Sequence, residues 1–132
     1  MILVDTNVLL DLVTDDPEWS AWSLARLEEA ALAGPILIND IVYAETSMRY
    51  RRIEDLDAML AQAMIEIAAA PRSALFLAGK TFQRYRAAGG TRPGVLPDFF
   101  IGAHAAVEGW PLLTRDAARH RRYFPKVALI AP

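Results

Sequence analysis

Four carboxylates stand inside apolar segments of this sequence, where acids are unexpected. Asp5 lies in "MILVDTNVLL", Glu45 in "NDIVYAETSMRY", Asp98 in "PDFFIGAHAAVEG", and Asp116 follows "WPLLT" after one arginine. Burying an isolated carboxylate costs several kcal/mol unless another group compensates its charge. These four acids are therefore the first candidates for chemistry.

A metal ion is the simplest compensation if the four carboxylates converge. Their mutual repulsion must be relieved by protons, a basic side chain or a cation. The chain has only two lysines, Lys80 and Lys126, and neither is near an acid in the sequence. A site made of carboxylates and water suits Mg²⁺ or Mn²⁺, with hydroxyls from Thr6 and Thr114 beside it. Such ions can promote hydrolysis of a phosphodiester bond.

Each acid also has a structural interpretation. Asp98 and Asp116 could be helix caps or first-turn acids that interact favourably with the helix dipole. Glu45 could be an exposed helix residue that pairs with Arg49, four positions on. Asp5 could cap a following helix, although that role does not require an acid. The four together favour the metal-site hypothesis more than any one of them does.

Short apolar runs alternate with longer amphipathic segments along the chain. The pattern predicts strands at 1–4, 36–38, 111–114 and 127–130, and helices at 19–33, 40–51, 73–88 and 97–108, with Asn39 as an N-cap. A further helical pattern runs from Ile53 through Ile67 and stops at Pro71. We expect a single three-layer α/β/α domain over residues 1–132, with a mainly parallel central sheet. The acids then follow strands at the sheet edge where ligands bind.

Composition excludes several function classes. The 132 residues include no cysteine, so disulfides and thiolate catalysis are excluded, and two histidines make a His-rich metal site unexpected. No apolar run reaches the length of a membrane span and no signal peptide is evident, so we expect a cytoplasmic protein without membrane contact. Residues 1–71 carry 13 acids and 4 arginines, net −9, whereas residues 72–132 carry 10 bases and 3 acids, net +7. The basic half indicates either an anionic partner such as nucleic acid or a solvated face.

Taken in order, the motifs "MILVDTNVLL", "NDIVYAETSMRY", "LPDFFIGAHA" and "LLTRD" resemble the PIN-domain ribonucleases, in particular the VapC-type toxins of toxin–antitoxin pairs. The resemblance runs essentially end to end. It implies that Asp5, Glu45, Asp98 and Asp116 form an acidic quartet around Mg²⁺ or Mn²⁺, with Asp5, Asp98 and Asp116 as metal ligands. Thr6 and Thr114 match supporting hydroxyl positions. One departure is Arg119, where the family often has an aromatic residue three positions after the last acid.

The resemblance also implies an activity and partners. The expected activity is an endoribonuclease that cleaves structured RNA and arrests translation, neutralised by a cognate VapB-type antitoxin whose tail lies across the N-terminal helices. A homodimer is expected, with a higher assembly in the presence of antitoxin. Arg119, Arg121 and Arg122 are the expected RNA contacts, since arginine binds phosphate strongly. The alternative is a non-catalytic binding module whose acidic pocket receives arginines of a partner.

Overall fold

A computed structural model describes residues 1–132 and contains five strands and seven helices. The strands are β1 (Ile2–Val4), β2 (Ile36–Asn39), β3 (Ile65–Ala68), β4 (Leu112–Leu113) and β5 (Leu129–Ile130). The helices are α1 (Thr6–Val13), α2 (Ser20–Ala33), α3 (Asp40–Ser47), α4 (Ile53–Gln62), α5 (Arg72–Ala87), α6 (Pro97–Glu108) and α7 (Ala117–Tyr123). The three-layer α/β/α architecture predicted from the sequence is confirmed.

The sheet has the strand order β3-β2-β1-β4-β5, and every neighbouring pair is parallel. The chain builds outward from β1 through β2 and β3, then crosses to β4 on the other side of β1. Ligands of open parallel sheets bind beyond the carboxyl ends of the strands at such a reversal. Asp5 follows β1 there, and its backbone N–H donates to Leu113 O of β4 at 2.9 Å.

Buried apolar side chains form two clusters. The larger contains the residues of β1, most of β2 and β4, and apolar residues of α1, α2, α3, α4 and α6. The smaller joins α5, α6 and the segment after α7 through Ala74, Ala78, Phe99, Ala103 and Phe124. Side chains of the central strands are buried on both faces, as expected for a parallel sheet covered by helices on both sides. None of the seven helices combines the length and apolarity that crossing a membrane requires.

The predicted continuation of helix from Ile53 to Ile67 is wrong. Helix α4 ends at Gln62, Met64 adopts a positive φ of 58°, and the following residues form the edge strand β3 beside β2. A residue with positive φ ends a right-handed helix because it turns the backbone out of the helical path. The segment "IEIA" alternates as a strand would, and pairing with β2 decides the competition between the two patterns.

Other boundaries differ less. Asn39 caps α3 as predicted, since its side chain accepts from Val42 N at 3.0 Å, but α3 ends at Ser47 rather than near Arg51. Helices α1 and α7 were not among the predicted helices. Each comes one to three residues after a strand and begins after one of the four acids, so their positions fix where those acids lie.

Candidate active site

Asp5 is surrounded by hydrogen-bond donors at the carboxyl end of β1. The residue is 3% exposed and caps α1, with Oδ1 accepting from Thr6 N at 2.7 Å. Its Oδ2 accepts from Thr114 Oγ1 at 2.7 Å and lies 3.4 Å from both Asn7 Nδ2 and His120 Nε2. The chain itself thus provides polar partners for the carboxylate that the sequence analysis assigned to a cation.

Glu45 is connected to Asp5 through one residue. Thr6 donates its backbone N–H to Asp5 and its hydroxyl to Glu45 Oε1 at 2.6 Å, whereas Glu45 forms no ion pair with Arg49. Burial raises the pKa of Glu45, and the negative charges of Asp5 and Asp98 raise it further, against the opposing effect of the Thr6 hydrogen bond. Glu45 therefore faces the other acids across the site.

Asp98 lies in the first turn of α6 and forms an ion pair. Its Oδ2 is 3.0 Å from Arg119 Nη1. Burial is the largest cause that raises the pKa of Asp98, and the charges of Asp5 and Asp116 add to it. The nearby His120 and Arg119 act in the opposite direction. The structure also places Asp98 in the first turn of α6, as the structural interpretation expected.

Asp116 occupies the position before α7, but its carboxylate does not cap that helix. Its backbone N–H donates to Thr114 Oγ1 at 3.1 Å, and the same hydroxyl donates to Asp5. Thr114 is therefore a link between the fourth acid and the first. The Asp116 carboxylate is left free of hydrogen-bond partners within the protein, beside the other acids.

The acids fit a divalent cation by geometry and charge. Asp5, Asp98 and His120 each offer one ligand atom, and these atoms all lie within 4.8 Å of one another. The repulsion that raises the pKa of Glu45 and of Asp98 is what a bound cation would relieve. Carboxylate oxygens suit Mg²⁺ or Mn²⁺. Asp116 is not part of the closest group.

Sequence reasoning missed the place of His120 in this site. The residue is 1% exposed, faces Asp5, and its Nδ1 has no hydrogen-bond partner. In the sequence it stands within "RHRRYFP", which suggested an exposed basic segment. The available signal was its spacing of four from Phe124, because residues four apart share a helix face and Phe124 is buried.

An ion pair between partly exposed Arg115 and buried Asp11 fixes the connection between β4 and α7. Arg115 donates to both oxygens of Asp11, with Nε–Oδ2 at 2.7 Å and Nη2–Oδ1 at 2.9 Å, and Ser23 Oγ donates to Asp11 at 2.6 Å. The backbone N–H of Arg115 donates to Asn7 Oδ1 at 3.1 Å. Helices α1 and α2 thereby hold the segment that carries Asp116. Neither Asp11 nor Arg115 was singled out from the sequence.

The three arginines predicted to contact RNA take different positions on α7. Arg119 contacts Asp98 and lies over the Phe99 ring at 5.9 Å, so it is part of the acid site. Arg122 lies over the Tyr123 ring at 5.3 Å and lines an open hollow. Arg121 is exposed and does not line that hollow. The sequence did not distinguish these environments.

Comparison with known proteins agrees with this fold. Residues 2–125 match the model of the family described as PIN domain, whereas no curated protein matches the sequence. The fold is similar to that of a chain in the crystal structure of VapBC2 from Rickettsia felis bound to a DNA fragment from its promoter, with a TM-score of 0.75 and 24% identity over 100% of this chain and 99% of that one. A chain of a toxin–antitoxin complex from Klebsiella pneumoniae gives a TM-score of 0.62 and 22% identity over 97% and 96% of the two chains. For FitAcB from Neisseria gonorrhoeae the TM-score is 0.68 and the identity 20%, over 98% and 96%. Because the family match covers nearly the whole sequence, the chain belongs to the PIN-domain family.

Proposed function

We propose that the chain is a metal-dependent endoribonuclease toxin that hydrolyses phosphodiester bonds of structured RNA and inhibits translation. PIN domains are generally nucleases, and one of the chains with a similar fold belongs to a toxin–antitoxin complex. The observation that supports the activity most directly is the meeting of Asp5 and Asp98 at the strand ends, with Glu45 and Asp116 in electrostatic contact with them.

In this proposal Asp5 and Asp98 hold Mg²⁺ or Mn²⁺, and Asp116 completes the ligand set. When bound there, such a cation would supply Lewis-acid stabilisation of negative charge on the phosphate. Thr6 and Thr114 keep the carboxylates oriented through their hydrogen bonds to Glu45 and Asp5.

Glu45 is the proposed general base. Its Oε1 accepts from Thr6, so Oε2 is available to accept a proton from an attacking water molecule. The direction of its pKa shift favours proton uptake, because a raised pKa makes a carboxylate a better base. Arg119, Arg121 and Arg122 supply positive charge for the RNA backbone, a contribution that does not depend on base sequence.

The proposal includes a VapB-type antitoxin as inhibitor. An apolar groove of about 200 Å³ separates α1 and α2 from α4, with Leu9, Leu12, Leu24, Leu27 and Met59 among its lining residues. An apolar segment of an antitoxin would bury this surface. Homodimerisation is also proposed, because the apolar side chains of Leu75 and Phe76 on α5 are exposed.

A second candidate function has its own support. Arg119 already contacts Asp98, which is the interaction expected of an acidic pocket that receives arginines. In that case the chain would be a binding module, and the acids would need no metal. The two functions differ in whether a divalent cation changes what happens to RNA.

The decisive experiment incubates purified protein with total RNA in Mn²⁺, in Mg²⁺ and in EDTA. The nuclease proposal predicts new RNA ends with either ion and none with EDTA. Asp98→Asn should remain folded and lose cleavage by at least about 100-fold, since a ligand for the charge-stabilising cation is removed. A folded Asp98→Asn protein with wild-type cleavage, or cleavage that persists in EDTA, would exclude the proposed site.

A further inference from the structure

An open hollow of about 330 Å³ lies beside the acid cluster, between α7 and the last turns of α5. Its lining residues are Tyr85, Asp116, Ala118, Arg119, Arg122 and Tyr123. Asp116 is one of the four acids, and Arg119 contacts another, since its Nη1 lies 3.0 Å from Asp98. A nucleic acid held with its phosphate at the acids would therefore extend directly into this hollow.

Two tyrosine rings form rigid walls of the hollow. The ring centroids of Tyr85 and Tyr123 lie 6.4 Å apart, and each ring packs edge-on against buried Phe99, at 5.6 Å and 5.3 Å. The Tyr85 ring also lies against Gly90, where a Cβ atom would come within 2.3 Å of it. The absence of a side chain at Gly90 thus allows the ring its position. Walls fixed before binding reduce the side-chain entropy that the protein loses when a ligand binds.

The chemistry of the walls matches a single nucleotide. Aromatic rings and guanidinium planes stack on bases, and arginines also bind phosphate. Arg122 lies over the Tyr123 ring at 5.3 Å, so a cationic group and a stacking surface are combined in one wall. A phosphate ion alone would need the arginines but not the rings, and a paired base would reach the rings only at the cost of unpairing and unstacking.

We infer that this hollow is a subsite for one unpaired nucleotide of the RNA, with its base against the tyrosine rings and its phosphate on Arg122. The inference rests on the proposed function and makes it more specific. It requires the substrate to be unpaired beside the cleaved bond, at a loop, bulge or end. Structured RNA would then be recognised through an exposed nucleotide rather than through its duplex.

The test measures binding in EDTA, so that cleavage does not contribute. A short unpaired oligoribonucleotide containing 2-aminopurine reports stacking by loss of fluorescence, and anisotropy of a terminal dye reports affinity. Tyr123→Leu should weaken binding about 5- to 150-fold and abolish quenching, as expected when one stacked base is lost. Tyr123→Phe keeps the ring and should retain wild-type affinity and quenching, which separates stacking from a general disturbance of α7.

Neighbouring arginines provide a matched control for charge. Arg121→Ala and Arg122→Ala remove the same charge from adjacent exposed positions, but only Arg122 lines the hollow. Arg122→Ala should weaken binding more and reduce quenching, whereas Arg121→Ala should leave quenching intact. Equal losses in the two variants, or absence of quenching with the wild type, would overturn the subsite. The nuclease proposal would be unaffected by that result, because metal-dependent cleavage decides it separately.

Discussion

Replacing Arg119 by glutamine should strengthen the binding of a divalent cation at the acid cluster. Arg119 Nη1 lies 3.0 Å from Asp98 Oδ2, so the chain's own guanidinium occupies a carboxylate that the proposed metal site requires. A cation that binds Asp98 must compete with this contact or share it. Glutamine keeps most of the side-chain length and removes the charge, so the substitution tests the electrostatic competition itself.

The size of the gain follows from the exposure of the pair. Two unit charges at 4 Å attract by about 4 kcal/mol at an effective dielectric constant of 20. The side chains of Arg119 and Asp98 are 36% and 30% exposed, however, and ion pairs of this kind retain roughly 0.2–1 kcal/mol after screening and side-chain ordering. The dissociation constant for Mn²⁺ should therefore fall by about 1.5- to 5-fold in Arg119→Gln.

Thermal melts in EDTA and across a range of Mn²⁺ concentrations measure this quantity. A ligand that binds only the folded state raises the free energy of unfolding by an amount set by its concentration relative to Kd. Loss of the ion pair also changes the stability of the metal-free protein. Comparing melts of the same variant with and without Mn²⁺ removes this contribution. Arg121→Gln, with the same charge change on the same helix, should behave as the wild type. If Mn²⁺ raises the melting temperature of Arg119→Gln no more than that of the wild type, the competition is refuted. Equal gains in Arg119→Gln and Arg121→Gln would assign the effect to net charge.

Three further predictions concern stability and partners. Arg115→Ala should lower the free energy of unfolding by about 3–5 kcal/mol in urea melts, because Asp11 is left buried and charged. Asp11→Ala should cost less, about 1–3 kcal/mol, because the remaining Arg115 is 28% exposed and can reach water; the reverse order would contradict this assignment. Burial lowers the pKa of His104 from its usual 6.5, so stability should be complete above pH 6.5 and decline as pH falls from there towards the folded-state pKa. His104→Gln should show a shallower dependence of stability on pH, with the slope reduced by at most the contribution of one bound proton. Parallel curves of stability against pH for the wild type and the variant would rule this out. Leu24→Arg, in the apolar groove, should prevent neutralisation by the proposed antitoxin while the proposed RNA cleavage persists; Leu32→Arg, on the same helix and 91% exposed outside the groove, should be neutralised normally.

The fold class was predictable because β1 and β2 are continuous apolar runs, as strands buried on both faces must be. Strand β3 was not predictable in the same way. Its sequence continues the apolar face of the preceding helical pattern as well as it suits an edge strand, and only the open edge of β2 favours the strand. Helix α7 was missed because its many arginines suggested a basic surface, although its buried face carries His120.

The sequence by itself determined which side chains are available for chemistry. The four acids, their apolar surroundings and the absence of a neighbouring lysine were all readable from the order of residues. They indicated an acidic site at the strand ends, where the structure places ligand atoms of Asp5 and Asp98 within 4.8 Å of each other and leaves Glu45 and Asp116 close enough for their charges to interact with those acids. Local sequence carries this information because an acid in an apolar run is costly wherever the chain folds.

Only the tertiary structure decided what compensates those acids. His120 and Thr114 reach Asp5 across separations of 115 and 109 residues, and Arg119 reaches Asp98 across 21. Contacts between distant segments depend on strand order and helix packing, which no local pattern specifies. The parallel sheet places the ends of β1 and β4 side by side, and α7 then turns one face of its basic segment into the acidic site. The same packing places Arg119 at the acids and leaves its neighbour Arg121 in solvent.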